Sequence, residues 1–274
     1  MGGSEMSHTE TQRHREEREL AGRHAVVTGG GRGIGAAIAD ELARRGADLT
    51  LMGRDVPRLE AHAGVLRERH GVRVHAVPCD VADEESVRGA FARAREENGD
   101  PGMLVNNAGQ SAASSFADTP REVWDRMLAV NLTGTFLCTR EVLPAMTAAR
   151  WGRVVNIAST AGLRGYPKTA AYTAAKHGVV GLTRALALET AKLGITVNAV
   201  CPGYTDTDMA AAAVGNLVRE LGKTEEEARK MITRVNPMGR LIAPAEVAAA
   251  VAWLCSPAAS GVTGQALAVA GGEV

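Results

Sequence analysis

The chain has 274 residues, 45% hydrophobic and only 3% aromatic, with 31 Lys+Arg against 31 Asp+Glu. Zero net charge offers no basic excess to hold nucleic acid or an anionic membrane. No apolar run reaches the roughly 18 residues of a membrane span, and no signal peptide is expected. Cys79, Cys138, Cys201 and Cys255 are widely spaced, which fits reduced core residues of a cytoplasmic protein and neither a disulfide frame nor a metal site.

Residues 1–20 are polar and charged and read as a flexible N-terminal tail. Residues 24–28 (HAVVT) form the first expected strand. Residues 34–45 carry Ile34, Ile38 and Leu42 at helical spacing and stop at Gly46. A strand over 48–52, a helix over 59–69 closed by Gly71, and a strand over 72–77 follow. Residues 84–97 predict a helix with Val87, Phe91 and Ala94 facing inward, and 103–106 a fourth strand. A long helix is expected over 120–146, capped by Thr119 ahead of Pro120. Next come a strand over 153–157, a helix over 170–193 ending at Gly194, and a strand over 195–200. Two short helices are expected within 207–235, a helix over 244–255, and a last strand over 266–269. Strand–helix alternation without a Pro/Gly linker predicts an α/β fold. It is one doubly wound parallel sheet of seven strands with helices on both faces, a single domain over 21–274.

Thr28-Gly29-Gly30-Gly31-Arg32-Gly33-Ile34-Gly35 falls between the first strand and the first helix. Glycines allow a pyrophosphate to approach the backbone there, and the helix start presents free N–H groups to it. A dinucleotide is the expected ligand. The second strand ends Met52-Gly53-Arg54-Asp55, so glycine stands where an acid would read a ribose 2′-hydroxyl. Arg54 and Arg32 favour the 2′-phosphate of NADP(H). With Asp55 on the ribose instead, NAD(H) is the alternative. Asp80 and Val81, after the third strand, would flank the adenine.

Tyr172 and Lys176 are four residues apart and share a helix face, with Ser159 thirteen residues before the tyrosine. A phenol of pKa ~10 needs about 4 kcal/mol of help to titrate near pH 7, and a close ammonium would lower it. His177 points off that face and is expected to be structural. Residues 204–235 carry Met209, Val214, Leu217, Leu221 and Met231, and read either as a lid over a substrate or as an ordinary helical hairpin. No Gly-x-Ser-x-Gly elbow argues for a hydrolase.

Together these segments resemble the short-chain dehydrogenase/reductase family, from about residue 21 to residue 272. The resemblance rests on the glycine turn, Asn106-Asn107-Ala108-Gly109, Asn131, Ser159, Tyr172 with Lys176, and Pro202-Gly203. It implies a Rossmann fold with Tyr172 as general acid in reduction or base in oxidation. Lys176 would lower the tyrosine pKa and hold the nicotinamide ribose. Ser159 would bond the substrate carbonyl, and Asn131 would anchor a water that links Lys176 to solvent. Asn107, Ala108 and Gly109 would line the adenine-ribose and nicotinamide side. Pro202, Gly203 and Thr205 would hold the nicotinamide, and Thr207 a phosphate.

Residues 153–162, 176–183 and 194–203 look closest to 3-oxoacyl-thioester and polyketide ketoreductases. The implied reaction is NADP(H)-dependent reduction of a small-molecule ketone, with a CoA- or acyl-carrier-protein-bound substrate. The reverse reaction, by an NAD-dependent 3-hydroxyacyl or secondary-alcohol dehydrogenase, is the second reading. A non-catalytic NADP-binding regulator on the same fold is the third. Residues 110–115 and 163–169 are the expected substrate walls. A homotetramer through the two long helices and the last strand is also implied.

Overall fold

A computed structural model describes residues 18–274. Its strands are β1 (His24–Thr28), β2 (Asp48–Gly53), β3 (Val74–Pro78), β4 (Met103–Asn106), β5 (Gly152–Ile157), β6 (Ile195–Pro202) and β7 (Ala266–Val269). All pair in parallel in the order β3-β2-β1-β4-β5-β6-β7. The order reverses between β1 and β4, which opens a crevice at the carboxyl ends of the strands, where doubly wound sheets bind ligands.

Alternation along each strand divides the core in two. Ala25 and Val27 of β1 face α1 (Gly33–Arg44), α2 (Val56–His70) and, at the far end of the sequence, α9 (Pro244–Cys255). Val26 faces α3 (Glu84–Asn98) and α5 (Gly134–Ala149) on the other side, with Val87, Phe91 and Ala94 buried as expected. Strands buried on both faces need near-continuous apolar runs, and β5 and β6 are buried at every position.

The expected tail to residue 20 falls almost wholly outside the described residues. Arg18–Leu20 are described, however, and they pack. Leu20 is in the core, its N–H bonds Arg45 O at 3.0 Å, and Glu19 pairs with Arg45. The folded unit therefore starts ahead of residue 21.

The long helix expected over 120–146 is not continuous. α4 (Arg121–Leu128) runs into a π-turn, Ala129–Thr133, before α5 resumes. Thr119 does not cap it. Its hydroxyl bonds Ser115 O at 2.8 Å and Ser114 Oγ at 2.6 Å, and Pro120 occupies the cap position without a side-chain bond. α6 is Ala170–Thr190, with a 3₁₀ turn to Leu193 and Gly194 in the left-handed region. α7 (Asp208–Leu221) and α8 (Glu225–Thr233) build their own small apolar cluster from Ala210, Val214, Ala228, Ile232 and Leu241, separate from the sheet core. Leu217 packs at its edge, while Met209, Leu221 and Met231 are exposed.

Candidate active site

The glycine turn is locked to the end of β4. Asn107 Nδ2 donates to Thr28 O (2.9 Å) and Gly29 O (3.2 Å), and the Asn107 and Ala108 amides both donate to Thr28 Oγ1 at 3.0 Å. Asn107 therefore braces the turn with its side chain, a task its expected place beside the adenine-ribose did not foresee. A side chain on Gly35 would overlap Gly29 O and Asn107 Nδ2, so only hydrogen fits. Gly33 opens α1 at φ 53°, and Arg32 caps the helix with no side-chain bond. The first-turn amides of Gly33, Ile34 and Gly35 thus have no capping side chain, as an anion site requires. A Cβ on Gly33 would sit 3.2 Å from Thr207 Cγ2, so the turn and the start of α7 face one another. Thr207 bonds Thr205 O at 3.2 Å, and Thr205 bonds Gly203 O at 3.0 Å, which winds the chain from Pro202 at the end of β6 into α7.

The two arginines expected beside one ribose are exposed, and each lies near an acid of its own. Arg32 lies 3.6 Å from Asp208, and Arg54 lies 4.0 Å from Asp80. Asp55 is occupied as the N-cap of α2, accepting from Arg58 N at 3.2 Å. Sequence reading missed Arg58. Its Cγ lies 3.5 Å from where a Cβ on Gly31 would sit, so its stem runs beside the turn. Its position in the first turn of a helix gave no signal of that contact. Val81 is buried against Gly134 at the start of α5.

The π-turn carries Asn131, which is buried. Its Nδ2 donates to Met127 O and Gln110 O at 3.0 Å, and its Oδ1 accepts from Gln110 N at 3.3 Å. A widened turn of this kind frees a carbonyl for a side chain. A Cβ on Gly109 would lie 2.9 Å from Asn131 Oδ1 and 3.7 Å from Lys176 Nζ. Gly109, Asn131 and Lys176 therefore border one small space that a side chain would fill.

Ser159 follows β5 and caps the turn Thr160–Gly162, accepting from Ala161 N at 3.1 Å. Its side chain also faces the hydroxyl of the half-buried Tyr172. Lys176 is buried and donates to Ile157 O at 2.7 Å, with Nζ 5.7 Å from the Tyr172 ring centre. The expected lowering of the tyrosine by the lysine is not what this arrangement gives. Burial pushes the Tyr172 hydroxyl above its ordinary value, and Ser159 only partly opposes that. Burial also lowers Lys176 to about 8. His177 is exposed and bonds Thr173 O at 3.0 Å, off the Tyr172–Lys176 face.

All four cysteines are free and buried, with burial pushing each thiol up. Among the described residues no His/Cys/Asp/Glu group could hold a metal, and no helix is long and apolar enough to cross a membrane.

A family model described as enoyl-(acyl carrier protein) reductase matches residues 29–273. A Streptomyces violaceoruber protein that carries the name of a ketoacyl reductase of the granaticin polyketide synthase is 46% identical over 250 residues, 90% of this chain and 92% of that protein. The 3-oxoacyl-[acyl-carrier-protein] reductase of Aquifex aeolicus is 38% identical, over 93% of this chain and 99% of its own. Among solved structures, a variant of actinorhodin polyketide ketoreductase with NADPH superposes with a TM-score of 0.89 at 42% identity, covering 93% of this chain and 98% of that one.

Proposed function

The chain belongs to the short-chain dehydrogenase/reductase family and is an oxidoreductase of the ketoacyl reductase type, and from that premise we propose that it reduces a 3-oxoacyl thioester or a related polyketide ketone with NADPH. The observation that carries this reading is the meeting of Ser159, Tyr172 and Lys176 beside Gly109 and Asn131, at the carboxyl edge of the sheet.

The residues present fit a dinucleotide. Uncapped first-turn amides at Gly33, Ile34 and Gly35, with Thr207 opposite, would hold its phosphates. Gly29, Gly31, Asp80, Val81, Asn107 and Ala108 would border its adenosine half. Gly109, Pro202, Gly203, Thr205, Tyr172 and Lys176 would border its nicotinamide half. Arg54 and Arg58 would face a 2′-phosphate. Asp55 gives one carboxylate oxygen to the cap of α2 and lies beside Arg58, which supports the phosphate over a bare ribose 2′-hydroxyl.

When bound, the nicotinamide supplies the hydride for the carbonyl carbon. The chain supplies the rest. Ser159 donates a hydrogen bond to the carbonyl oxygen and polarises it. Tyr172 gives its hydroxyl proton to that oxygen as negative charge develops there. Lys176, charged at neutral pH, offsets the charge left on the phenol. Asn131 and the Gln110 carbonyl fix the inner end of the space beside Lys176 through which a replacement proton would arrive. A homotetramer on α5 and α6 accounts for Phe136 and Leu188, which are exposed on those helices. Light scattering tests it, and a monomer would contradict it.

The decisive test is Tyr172→Phe, assayed for NADPH oxidation with a panel of β-keto thioesters and diketones and for NADPH binding by fluorescence. Turnover should vanish while binding persists. Turnover equal to the parent's would remove the mechanism.

A further inference from the structure

Glu273 follows β7 and is 9% exposed, yet it takes part in no ion pair among the described residues. Its Oε1 accepts a hydrogen bond from Tyr166 Oη, and its backbone oxygen accepts from Arg164 Nη1 at 3.4 Å. Its Oε2 is buried without a partner, 3.0 Å from where a Cβ on Gly203 would sit. Burying a carboxyl group this way costs stability unless something returns it. The neighbouring residues suggest what. A Cβ on Gly271 would overlap the Asn236 amide and one on Gly272 would sit 3.5 Å from Pro237 Cγ, so the segment also packs where the α7–α8 unit rejoins the domain.

Tyr166 leads from Glu273 toward the reacting groups. Two residues before it, Arg164 donates its N–H to the carbonyl of the buried Thr160, the residue after Ser159, at 3.0 Å. The Tyr166 carbonyl accepts from Thr169 Oγ1 at 3.0 Å, and Thr169 bonds Thr173, next to Tyr172, at 3.1 Å. The next residues tie in a second wall, since Lys168 O accepts from Ser114 N at 2.9 Å. Glu273 therefore anchors, through Tyr166 and Arg164, a chain of bonds that branches to the residue after Ser159 and to the residue after Tyr172.

We propose that Glu273 is a positioning residue for the ketone side of the site, acting through Tyr166 and Arg164 on the Ser159 turn and on the wall at residues 163–169. The proposal rests on the reading of the site given above. It needs no contact between Glu273 and substrate.

The test compares Glu273→Ala, Glu273→Gln, Tyr166→Phe and the Glu273→Ala/Tyr166→Phe double variant. Glu273→Ala should raise KM for a β-ketoacyl thioester about tenfold, the scale of one lost bond to a charged group. The NADPH dissociation constant should not change. Tyr166→Phe should match it, and the double variant should be no worse than either single one. Glu273→Gln keeps an acceptor for Tyr166 and should recover most of the loss. Hydrogen exchange on the protein without substrate should speed up at residues 159–169 in Glu273→Ala. Additive losses in the double variant would overturn the proposal. So would NADPH binding that weakens in step with KM, because Glu273 would then act through Gly203. Unchanged exchange at 159–169 would overturn it too. The exchange result is independent of turnover, so it stands apart from the Tyr172→Phe test of the reaction itself.

Discussion

Lys176→Met should make the protein more stable at neutral pH while destroying its activity. Lys176 is buried, its ordinary value of 10.5 falls to about 8, and burial is the leading cause. The gap corresponds to roughly 3 kcal/mol, at about 1.4 kcal/mol per tenfold change in proton affinity. Below pH 8 the folded chain carries the full cost of a charged amine out of water. Methionine, of similar shape, removes that cost but also removes the 2.7 Å bond to Ile157 O, worth about 1 kcal/mol. The net expectation is a gain of about 2 kcal/mol at pH 7, or roughly 4–8 °C in Tm for a domain of this size.

The sign reverses with pH. Between about 8 and 10.5 the unfolded chain holds a proton that the folded chain has released. Parent stability therefore rises relative to the variant across that window. By pH 10.5 the parent should be the more stable by about 1 kcal/mol, the worth of the remaining bond. Urea unfolding of both proteins without ligand, at pH 7 and at pH 10, measures the difference directly. If the variant were less stable by the same margin at both pH values, burial would not be acting on a charged Lys176, and the reasoning would fail.

Two further outcomes follow from named contacts. His24 is buried with Nδ1 2.7 Å from Gly99 O and Nε2 2.9 Å from Thr50 Oγ1, and burial lowers it from 6.5 to about 4. Its folded value is depressed, so stability should fall as pH drops from about 6.5 to 4, by up to about 3 kcal/mol. His24→Gln should flatten that part of the unfolding profile, and an unchanged slope would refute the assignment. Arg54→Asp should weaken NADPH binding at least tenfold, on the order of a lost charge-assisted phosphate contact, with little effect on NADH. Equal losses for the two cofactors, measured by titration, would remove Arg54 from the 2′-phosphate.

The sheet was legible because its signal is local. Strands such as HAVVT are apolar at both faces, and the first is followed by a 3.6-residue period that stops at Gly46. The break in the long helix was not legible. Asn131 is a weak helix former, but its place in a π-turn goes with a bond to Gln110 O, 21 residues away, that no local pattern announces. Thr119 failed as a cap for a related reason, since Ser114 and Ser115 claim its hydroxyl. At the site, spacing placed Tyr172 and Lys176 on one face correctly. It could not say where the ammonium points, and it points to Ile157 O. Arg58, Glu273 and the bracing role of Asn107 depend on contacts across tens of residues of sequence, which no local pattern encodes.

The raised pKa of the Tyr172 hydroxyl bears on the pH dependence of the proposed reduction. Burial pushes the Tyr172 hydroxyl further above neutral pH, so the phenol keeps its proton across the range in which Lys176 titrates. A protonated phenol beside Ser159 is prepared to give a proton, which is the requirement of ketone reduction, and alcohol oxidation needs the opposite form. The group that loses its proton first as pH rises is then Lys176, at about 8. Reduction measured as kcat/KM, which reports the free enzyme, should fall through an alkaline limb near pH 8. The cause would be loss of the ammonium that offsets charge on the phenol, with the tyrosine still protonated. A profile flat to pH 10 would separate Lys176 from the proton transfer, and a limb that rises with pH would return Tyr172 to the role of base.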